Sequence, residues 1–433
     1  MKILQVNKFF YIKGGSETYY FSLKRLLEGN GHQVVDFSMK DPHNFASPYQ
    51  EYFIENIDYN RKQGVWTHLK LAFKIIYSGE ARRKIAALLK KEQPEIAHLH
   101  IFQHQMSASI VGALKARKAP VVYTAHDLKA VCPNYKMLRQ DNVCELCKGR
   151  RYYYCFLKKC VKDSYLKSLI STMEMYFHRF FNTYGKIDRI IAPSKFYREK
   201  LLEFGFEPEK VIYLPNFLDA RKITPNYEHR EYFVFLGRLS EEKGVLTLVK
   251  AMENVNGSAG TRGGKLLLIG TGPLEAEIRQ YITWRGLTDR IQLTGYQSGT
   301  ELQQLLKGAM FSVIPSEWYE NSPYSVLEMM AYGKPVIGAN IGGIPELIED
   351  GRTGLVFEKG NSQELAEKIT TLIEHPDLIL EYGKNARMKL ELEYNAEKHY
   401  WKLIEIYESI LAHRDIKAQW ASRHRERGFS RSW

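Results

Sequence analysis

Two doubly wound α/β domains are the fold this sequence predicts, on three observations. Short apolar runs alternate with amphipathic stretches along most of the chain, the signature of parallel strands and covering helices. A strand, a glycine-bearing loop, a helix and a second strand open the chain, and a similar unit begins at Tyr232 beyond an irregular polar stretch, 217–230. The length of 433 residues exceeds what one typical core holds.

The composition, 44% hydrophobic, is that of a globular protein, and no run of about 18 uncharged apolar residues marks a membrane span. The start, Met-Lys-Ile-Leu-Gln-Val-Asn, reads as a strand rather than a signal peptide, so a cytosolic location is expected. A net charge of +13 favours polyanions, phosphorylated ligands or an anionic membrane face. No RNA- or DNA-binding motif accompanies it, so nucleic acid is not expected as a partner.

In chain order, residues 2–6 form a strand. The loop closing with Lys13-Gly14-Gly15-Ser16-Glu17 follows, then a helix to about Glu28 and a strand over 32–37. Paired glycines let a backbone approach a ligand closely, or make only a tight turn; the spacing is not that of a dinucleotide fingerprint. Residues 60–91 carry nine Lys/Arg against one acid, interleaved with Val65, Trp66, Leu69, Leu71, Phe73, Ile75 and Ile76. That reads as a basic amphipathic helix at a membrane surface or as a packed helix with a solvated basic face. A strand over 95–100, a helix over 107–117 and a strand over 120–124 come next. The last delivers His126 to a carboxyl end, where open α/β sheets bind ligands. His126 there is either structural or a donor to an anion or sugar hydroxyl. His98, His100 and His104 match no firm metal spacing and read as core and loop residues.

All five cysteines fall between 132 and 160. Cys144-x-x-Cys147, with Cys155 and Cys160, has the look of a small structural zinc knot in a loop insertion. Reduced buried thiols and a redox role are the alternatives, and Cys132 is surplus to a four-ligand site. A helical stretch over 161–185 and a strand over 188–194 lead to the domain exit at 210–216.

The second unit opens with a strand at Tyr232 that delivers Arg238 and, five residues later, Lys243. Paired cations at a strand end suit a diphosphate, with surface charge the plainer alternative. Strands over 265–270 and 291–295 follow, the first leading into Gly270-Thr-Gly272-Pro273, the second into Tyr296, whose turn could seat a base through backbone groups. The stretch 315–335 then reads as strand end, loop, helix and stop, with Ser322 as N-cap and Pro323 at the first helical position. Its helix mouth suits a phosphate. Glu320 and Glu328, with seven residues between them, suit hydroxyls on either side of it; a capped surface helix with two solvated acids is the bland alternative. Gly342-Gly343-Ile-Pro345-Glu346 reads as a second phosphate-facing helix start. A strand over 354–357 and a helix over 362–374 follow. A helix over 396–412, aromatic along one face, is placed to return to the first domain. The stretch from Arg414 on, with six Arg/Lys and two acids, reads as a frayed basic tail.

Taken in order, Gly237-Arg238…Lys243-Gly244, Gly270-x-Gly272-Pro273, Glu320-x7-Glu328, Gly333-Lys-Pro335 and Gly342-Gly343-x-Pro345-Glu346 resemble the nucleotide-sugar domain of the family-4 retaining glycosyltransferases. The resemblance covers about 233–375, and Gly14-Gly15 and Thr124-x-His126-Asp127 extend it to the first half. It implies the GT-B fold, two Rossmann-like domains facing across a cleft. The first would span 1–215, with a Cys-rich insertion at 130–160, and be completed by a C-terminal helix at 396–413. The second would span 216–395, with a tail at 414–433. The Cys-rich stretch resembles an insertion of bacterial surface-polysaccharide members, which work in the cytosol or on the inner membrane face.

The resemblance implies a metal-independent hexosyl-type transfer from a nucleoside-diphosphate sugar to a glycan or lipid-linked saccharide; the alternative is a non-catalytic sugar-nucleotide-binding subunit. Arg238 and Lys243 would hold the diphosphate, Glu320 the sugar, backbone amides of Asn321 and Ser322 the phosphate, and Glu328 the ribose. Gly15, Gly270 and Tyr296 would complete the donor site, and His126 would lie near the sugar. No cofactor would be needed for catalysis, and no Asp-x-Asp motif is present. Glu320-Asn-Ser-Pro and Phe217 depart from the family pattern and leave the sugar and the hinge open.

Overall fold

The computed structural model describes residues 1–56, 74–140, 142–255 and 264–426, with side chains described as far as Arg414. Two six-stranded parallel sheets organise it. The first half supplies β1 (Lys2–Val6), β2 (Gln33–Phe37), β3 (Ile96–Leu99), β4 (Val121–Thr124), a two-stranded antiparallel hairpin of β5 (Leu138–Arg139) and β6 (Asn142–Val143), then β7 (Arg189–Ala192) and β8 (Val211–Tyr213). The second half supplies β9 (Tyr232–Leu236), β10 (Lys265–Ile269), β11 (Ile291–Gly295), β12 (Ser312–Ile314), β13 (Val336–Ala339) and β14 (Gly354–Phe357).

The strand orders are β2-β1-β3-β4-β7-β8 and β11-β10-β9-β12-β13-β14. Each sheet therefore reverses direction beside its first strand, which opens a crevice between β1 and β3 in one and between β9 and β12 in the other. Helices cover both faces, so strands such as β3, β4 and β13 are buried at every position. That is why they read as unbroken apolar runs rather than alternating ones.

The chain crosses between the sheets at 214–218 and returns at 394–396. The crossings touch: Leu218 N–H donates to the Tyr394 carbonyl at 2.9 Å. The final helix, Ala396–Glu426, then lies along the first sheet. Tyr407 Oη meets His98 Nδ1 at 2.6 Å, His399 Nε2 meets Tyr19 Oη at 3.0 Å, and Tyr400 Oη meets His32 Nε2 at 2.8 Å. It is longer than the reading of 396–413 with a frayed tail, since its backbone stays helical to Glu426; residues 427–433 lie outside the described set.

Other readings shift. The helix Pro376–Glu393 goes unmentioned in the sequence reading, although Ile379, Tyr382, Ala386 and Leu390 bury one face and Pro376 opens it. Ser322 is not an N-cap. The helix runs Tyr324–Ala331 with Pro323 in the cap position at φ −66° and ψ 125°, and Ser322 Oγ has no partner. Of the basic stretch 60–91, residues 60–73 lie outside the described residues. The helix Gly79–Glu92, capped by Ser78, buries Ala81, Ile85, Leu88 and Leu89 as an ordinary packed helix does.

Gly244 joins the second sheet's two crevice loops. It has φ +64°, and a Cβ there would stand 1.8 Å from the Pro315 carbonyl oxygen. Left-handed backbone costs a non-glycine residue about 1–2 kcal/mol and overpacking about 1–3 more. Gly244→Ala is expected to destabilise by about 3 kcal/mol, and Gly360→Ala, at φ +75° with nothing within 4 Å, by about 1 kcal/mol. Equal shifts of the urea midpoint in the two variants would contradict this account of the joint.

Candidate active site

The β9–β12 crevice is built by two loops. After β9 the chain passes Gly237 and exposed Arg238, makes a turn at Glu241–Lys243, and enters the next helix at Gly244. After β12 it runs through Pro315 to Ser322 into the helix Tyr324–Ala331. Glu317 N–H donates to the Glu242 carbonyl at 3.0 Å, which fixes one loop to the other. Lys243 Nζ lies 2.5 Å from Glu320 Oε1, and Ser316 Oγ donates to the same oxygen at 2.7 Å. Burial raises the Glu320 carboxyl, but the Lys243 ammonium and the hydrogen bonds to the carboxylate together outweigh it and hold the carboxyl below its ordinary value. Arg238 has no carboxylate partner among the described residues. The sequence reading treats both cations as diphosphate clamps and Glu320 as a hydroxyl acceptor; the fold pairs one cation with that acid.

The mouth of the helix Tyr324–Ala331 holds polar groups with nothing to bond. Ser322 Oγ, Tyr324 Oη and Asn216 Oδ1 are buried without partners, while Asn216 Nδ2 holds the Ser322 carbonyl at 2.9 Å. Such orphans mark a place where a ligand or water completes the bonding. One turn further along, the Glu328 side chain finds no donor among the described residues, and burial pushes its carboxyl up to about 7. Gly270 serves the scaffold: a Cβ there would stand 2.0 Å from the Gly237 carbonyl oxygen, and its own N–H donates to Gly295. Tyr296 is 72% exposed beyond edge strand β11, two strands from the crevice.

Across the cleft, the helix Gly15–Gly29 begins without a side-chain cap, and a Cβ on Gly15 would touch the Tyr324 ring at 3.6 Å. Glu17 is buried in the first turn and bonded by Asn7 and Ser16. Burial, then Lys13, pushes neighbouring Lys8 down to about 8. His126 follows β4. Its Nε2 meets His100 Nδ1 at 3.1 Å, its ring packs on Tyr19, and burial pushes it down to about 3. The imidazole is therefore neutral near pH 7, a hydrogen-bonding group rather than a cation. His98 and His100 are core residues, and His104 Nδ1 lies 3.3 Å from the buried Glu174.

The two domains are clasped by polar contacts that the sequence reading misses. Asn321 Nδ2 donates to the Ala125 carbonyl at 2.9 Å, and Ser194 Oγ donates to Asn321 Oδ1 at 3.0 Å. Tyr197 Oη donates to the Tyr319 carbonyl at 3.2 Å, and Lys136 pairs with Glu242 at 3.1 Å. The expected second phosphate-facing helix at Gly342–Gly343 is instead part of this clasp. Its helix, Ile344–Leu347, is four residues long, and Gly343 N–H donates to the Glu320 carbonyl at 2.8 Å. The Glu346 carboxylate accepts the Lys195 and Phe196 amides, at 2.8 and 2.7 Å, at the start of a first-domain helix. No local pattern betrays these residues, because their partners in the other domain lie more than 100 positions away.

An open hollow of about 520 Å³ elsewhere on the second domain is lined by Glu349, Asp350, Glu358, Glu364, Asn340 and Lys368. Its acidic lining is the wrong sign for a diphosphate, so chemistry rather than volume selects the cleft.

Comparison with known proteins gives two family matches: "Glycosyltransferase Family 4" over residues 13–222 and "Glycosyl transferases group 1" over residues 216–389. An uncharacterised glycosyltransferase of Methanocaldococcus jannaschii is 24% identical over 412 residues, 95% of this chain and 99% of that one. The amylovoran biosynthesis glycosyltransferase AmsK of Erwinia amylovora is 27% identical over 52% of this chain and 58% of its own. Among solved structures, sucrose-phosphate synthase of Thermosynechococcus elongatus matches with a TM-score of 0.70 at 19% identity, covering 95% of this chain and all of that one. Anabaena HepE in complex with UDP and glucose matches with a TM-score of 0.64 at 19% identity, covering 94% and 100%. These structures share the GT-B fold. Nothing in the comparisons favours a non-catalytic partner subunit.

The Lys243–Glu320 pair has a pH signature. A carboxyl held below its ordinary value of 4.5 stabilises the fold above that pH, and the contribution is lost as pH falls through the folded value. Lys243→Met strands the buried carboxylate. With the lysine side chain 27% exposed, the loss is expected to be about 2–3 kcal/mol at pH 7, below that of a fully buried pair. It should shrink as pH falls to 4, because burial without the cation raises the stranded carboxyl and lets it protonate above its ordinary value. Urea unfolding at pH 7 and pH 4 checks this, and an equal loss at both would contradict it.

Proposed function

Because the two family matches together span residues 13–389, the chain belongs to the GT-B glycosyltransferases of group 1 and family 4, and from that premise we propose that it moves a sugar, with retention, from a nucleoside-diphosphate donor to a glycan or lipid-linked saccharide in polysaccharide biosynthesis. Relatives named for amylovoran, colanic acid and poly(ribitol-phosphate) glycosylation support the acceptor class. HepE, solved with UDP and glucose, supports the donor class. The observation that carries the reading is the convergence of Arg238, Lys243, Glu320, Glu328 and three orphaned polar groups on one crevice facing the Gly15 loop and His126.

The roles follow from charge. Departure of a nucleoside diphosphate builds negative charge on its distal phosphate. Arg238, with no competing carboxylate, gives a planar fork of donors to that oxygen set. Lys243 carries three N–H groups; Glu320 takes one and leaves others for phosphate. The mouth of the helix Tyr324–Ala331 adds backbone dipoles, and Ser322 Oγ a hydroxyl. Glu328, lacking a donor, accepts the ribose hydroxyls, and Glu320, oriented by Lys243 and Ser316, accepts sugar hydroxyls. Neutral His126 hydrogen-bonds the sugar from the opposite wall. In this reading the chain's own cations supply the counter-charge. Retention by front-side attack rests on the family resemblance. The clasp around Asn321 and Glu346 excludes water from the donor.

The acceptor side also meets a surface. The helix Tyr165–Phe180 turns much of its apolar surface outward: it buries Ser168, Ser171, Thr172, Glu174, Met175 and His178 and exposes Leu166, Leu169, Met173 and Phe180, the last at 83%. Exposed Lys158, Lys159, Lys167 and Arg179 lie on or near it. Apolar side chains among cations match an anionic bilayer face. Among the described residues no helix is long and apolar enough to cross a membrane, so this contact would be peripheral.

A screen of UDP-, GDP- and ADP-sugars for nucleotide release and transfer tests the reaction. One donor class should turn over, and Arg238→Ala should lower kcat/KM at least about 100-fold with Tm unchanged. Turnover with no donor, or an unaffected Arg238→Ala enzyme, would overturn it. For the surface, the protein should sediment with phosphatidylglycerol vesicles but weakly with phosphatidylcholine, and Leu166→Glu with Phe180→Glu should abolish sedimentation. Binding unchanged in that double variant would refute the assignment.

A further inference from the structure

The five cysteines converge. Cys132, Cys144, Cys147, Cys155 and Cys160 all line one cavity of about 10 Å³, closed by Pro133, Asn134, Met137 and Leu138. That is room for about one water-sized occupant, and a buried water needs two to four hydrogen-bonding partners. Beyond Asn134, whose amide is already bonded to the Leu138 and Cys160 carbonyls, a wall of thiols and apolar groups provides them poorly. We propose that this cavity holds one zinc ion through Cys144, Cys147, Cys155 and Cys160, and that the knot sets the loop carrying Glu320.

Local structure supplies the ligands in two pairs. The hairpin β5–β6 leads directly into Cys144, whose N–H donates to the Met137 carbonyl at 2.7 Å. The turn Cys144-Glu-Leu-Cys147 has the two-residue spacer of a zinc knuckle. The second pair closes another turn, with Cys160 N–H donating to the Cys155 carbonyl at 3.1 Å. Cys132 is the spare: its Sγ donates to Asn134 Oδ1 at 3.1 Å, a much shorter contact than the 3.9 Å from Cys155 Sγ to the Ser168 carbonyl. All five are free thiols. Among the described residues no three His, Cys, Asp or Glu side chains are preset in ligand geometry, so the ion must draw the sulfurs inward. As four Zn–S bonds form, four thiol protons leave to solvent, and the centre carries a net charge of −2. A counter-charge is in place. Arg139 and Lys158 act on Cys160, and Arg139 Nε is buried without a partner, a donor for a thiolate.

The knot reaches the crevice through Glu145, which lies between the first two ligands. Glu145 Oε1 accepts from Tyr319 Oη at 2.9 Å and pairs with Lys200 at 2.8 Å. Tyr319 precedes Glu320. This link matters for sugar transfer only if the proposed reaction is right; the zinc does not depend on it.

Metal analysis of the full-length chain, purified under reducing conditions from zinc-supplemented cells, tests the site. The wild type should carry about one zinc per chain. Cys147→Ser should fall below about one fifth of that and Cys132→Ser should retain it. Should Cys147→Ser fail to fold, removing metal from the wild type with a chelator should expose four further thiols to alkylation. No zinc in the wild type, a disulfide in place of it, or equal losses in Cys132→Ser and Cys147→Ser would overturn the proposal. A chain that holds zinc but turns over no donor leaves this inference standing and removes only the proposed reaction.

Discussion

The Lys243–Glu320 pair is the contact on which the site depends. It joins the loops that leave β9 and β12, the strands between which the second sheet reverses direction. A buried carboxylate costs several kcal/mol unless a cation and hydrogen bonds meet it, and here Lys243 and Ser316 do so. The backbone is shaped to the same end, since the turn after Lys243 lies against Pro315 and Glu317 donates or accepts across the gap. Once these loops are fixed, Arg238 has one direction to face, the helix Tyr324–Ala331 has one place to begin, and Asn321 stands where it can reach the other domain.

The elements that sequence reveals best here are those fixed by local pattern. The parallel strands are largely buried on both faces and so appear as apolar runs, which is why β1, β4, β10 and β14 were legible to within a residue or two. The cations and acids of the crevice were legible because strand ends deliver them, and strand ends can be located. What sequence conceals is set by distant partners. Ser322 has the residue type of an N-cap, but the extended backbone of Pro323 starts the helix one residue later than that cap would. Gly342–Gly343 and Glu346 look like a phosphate loop because glycine and an acid before a helix serve both purposes; their partner, the helix Lys195–Glu203, is 150 residues away. Lys243 reads as a diphosphate cation because nothing in a sequence shows that an acid 77 positions later accepts one of its hydrogen bonds.

The insertion between β4 and β7 belongs to the same logic. Buried Glu174 ties it to the rest of the first domain: the carboxylate pairs with Lys129 at 2.8 Å within the insertion and meets His104 Nδ1 outside it at 3.3 Å. From there Glu145 and Lys136 reach the second domain at Tyr319 and Glu242, while the helix Tyr165–Phe180 turns its apolar side outward. One segment thus touches the crevice loops, carries every cysteine and presents the exposed aromatic face. In the proposed reading these are one device, a wall that holds the donor loop on one side and meets the acceptor's surface on the other.

The measurement that bears most directly on the account is a crystal structure with a nucleoside diphosphate bound. The account predicts both phosphates between Arg238, Lys243 and the start of the helix Tyr324–Ala331, with Ser322 Oγ bonded to phosphate and the ribose hydroxyls on Glu328. A nucleotide seated elsewhere, with Ser322 and Glu328 still lacking partners, would contradict it.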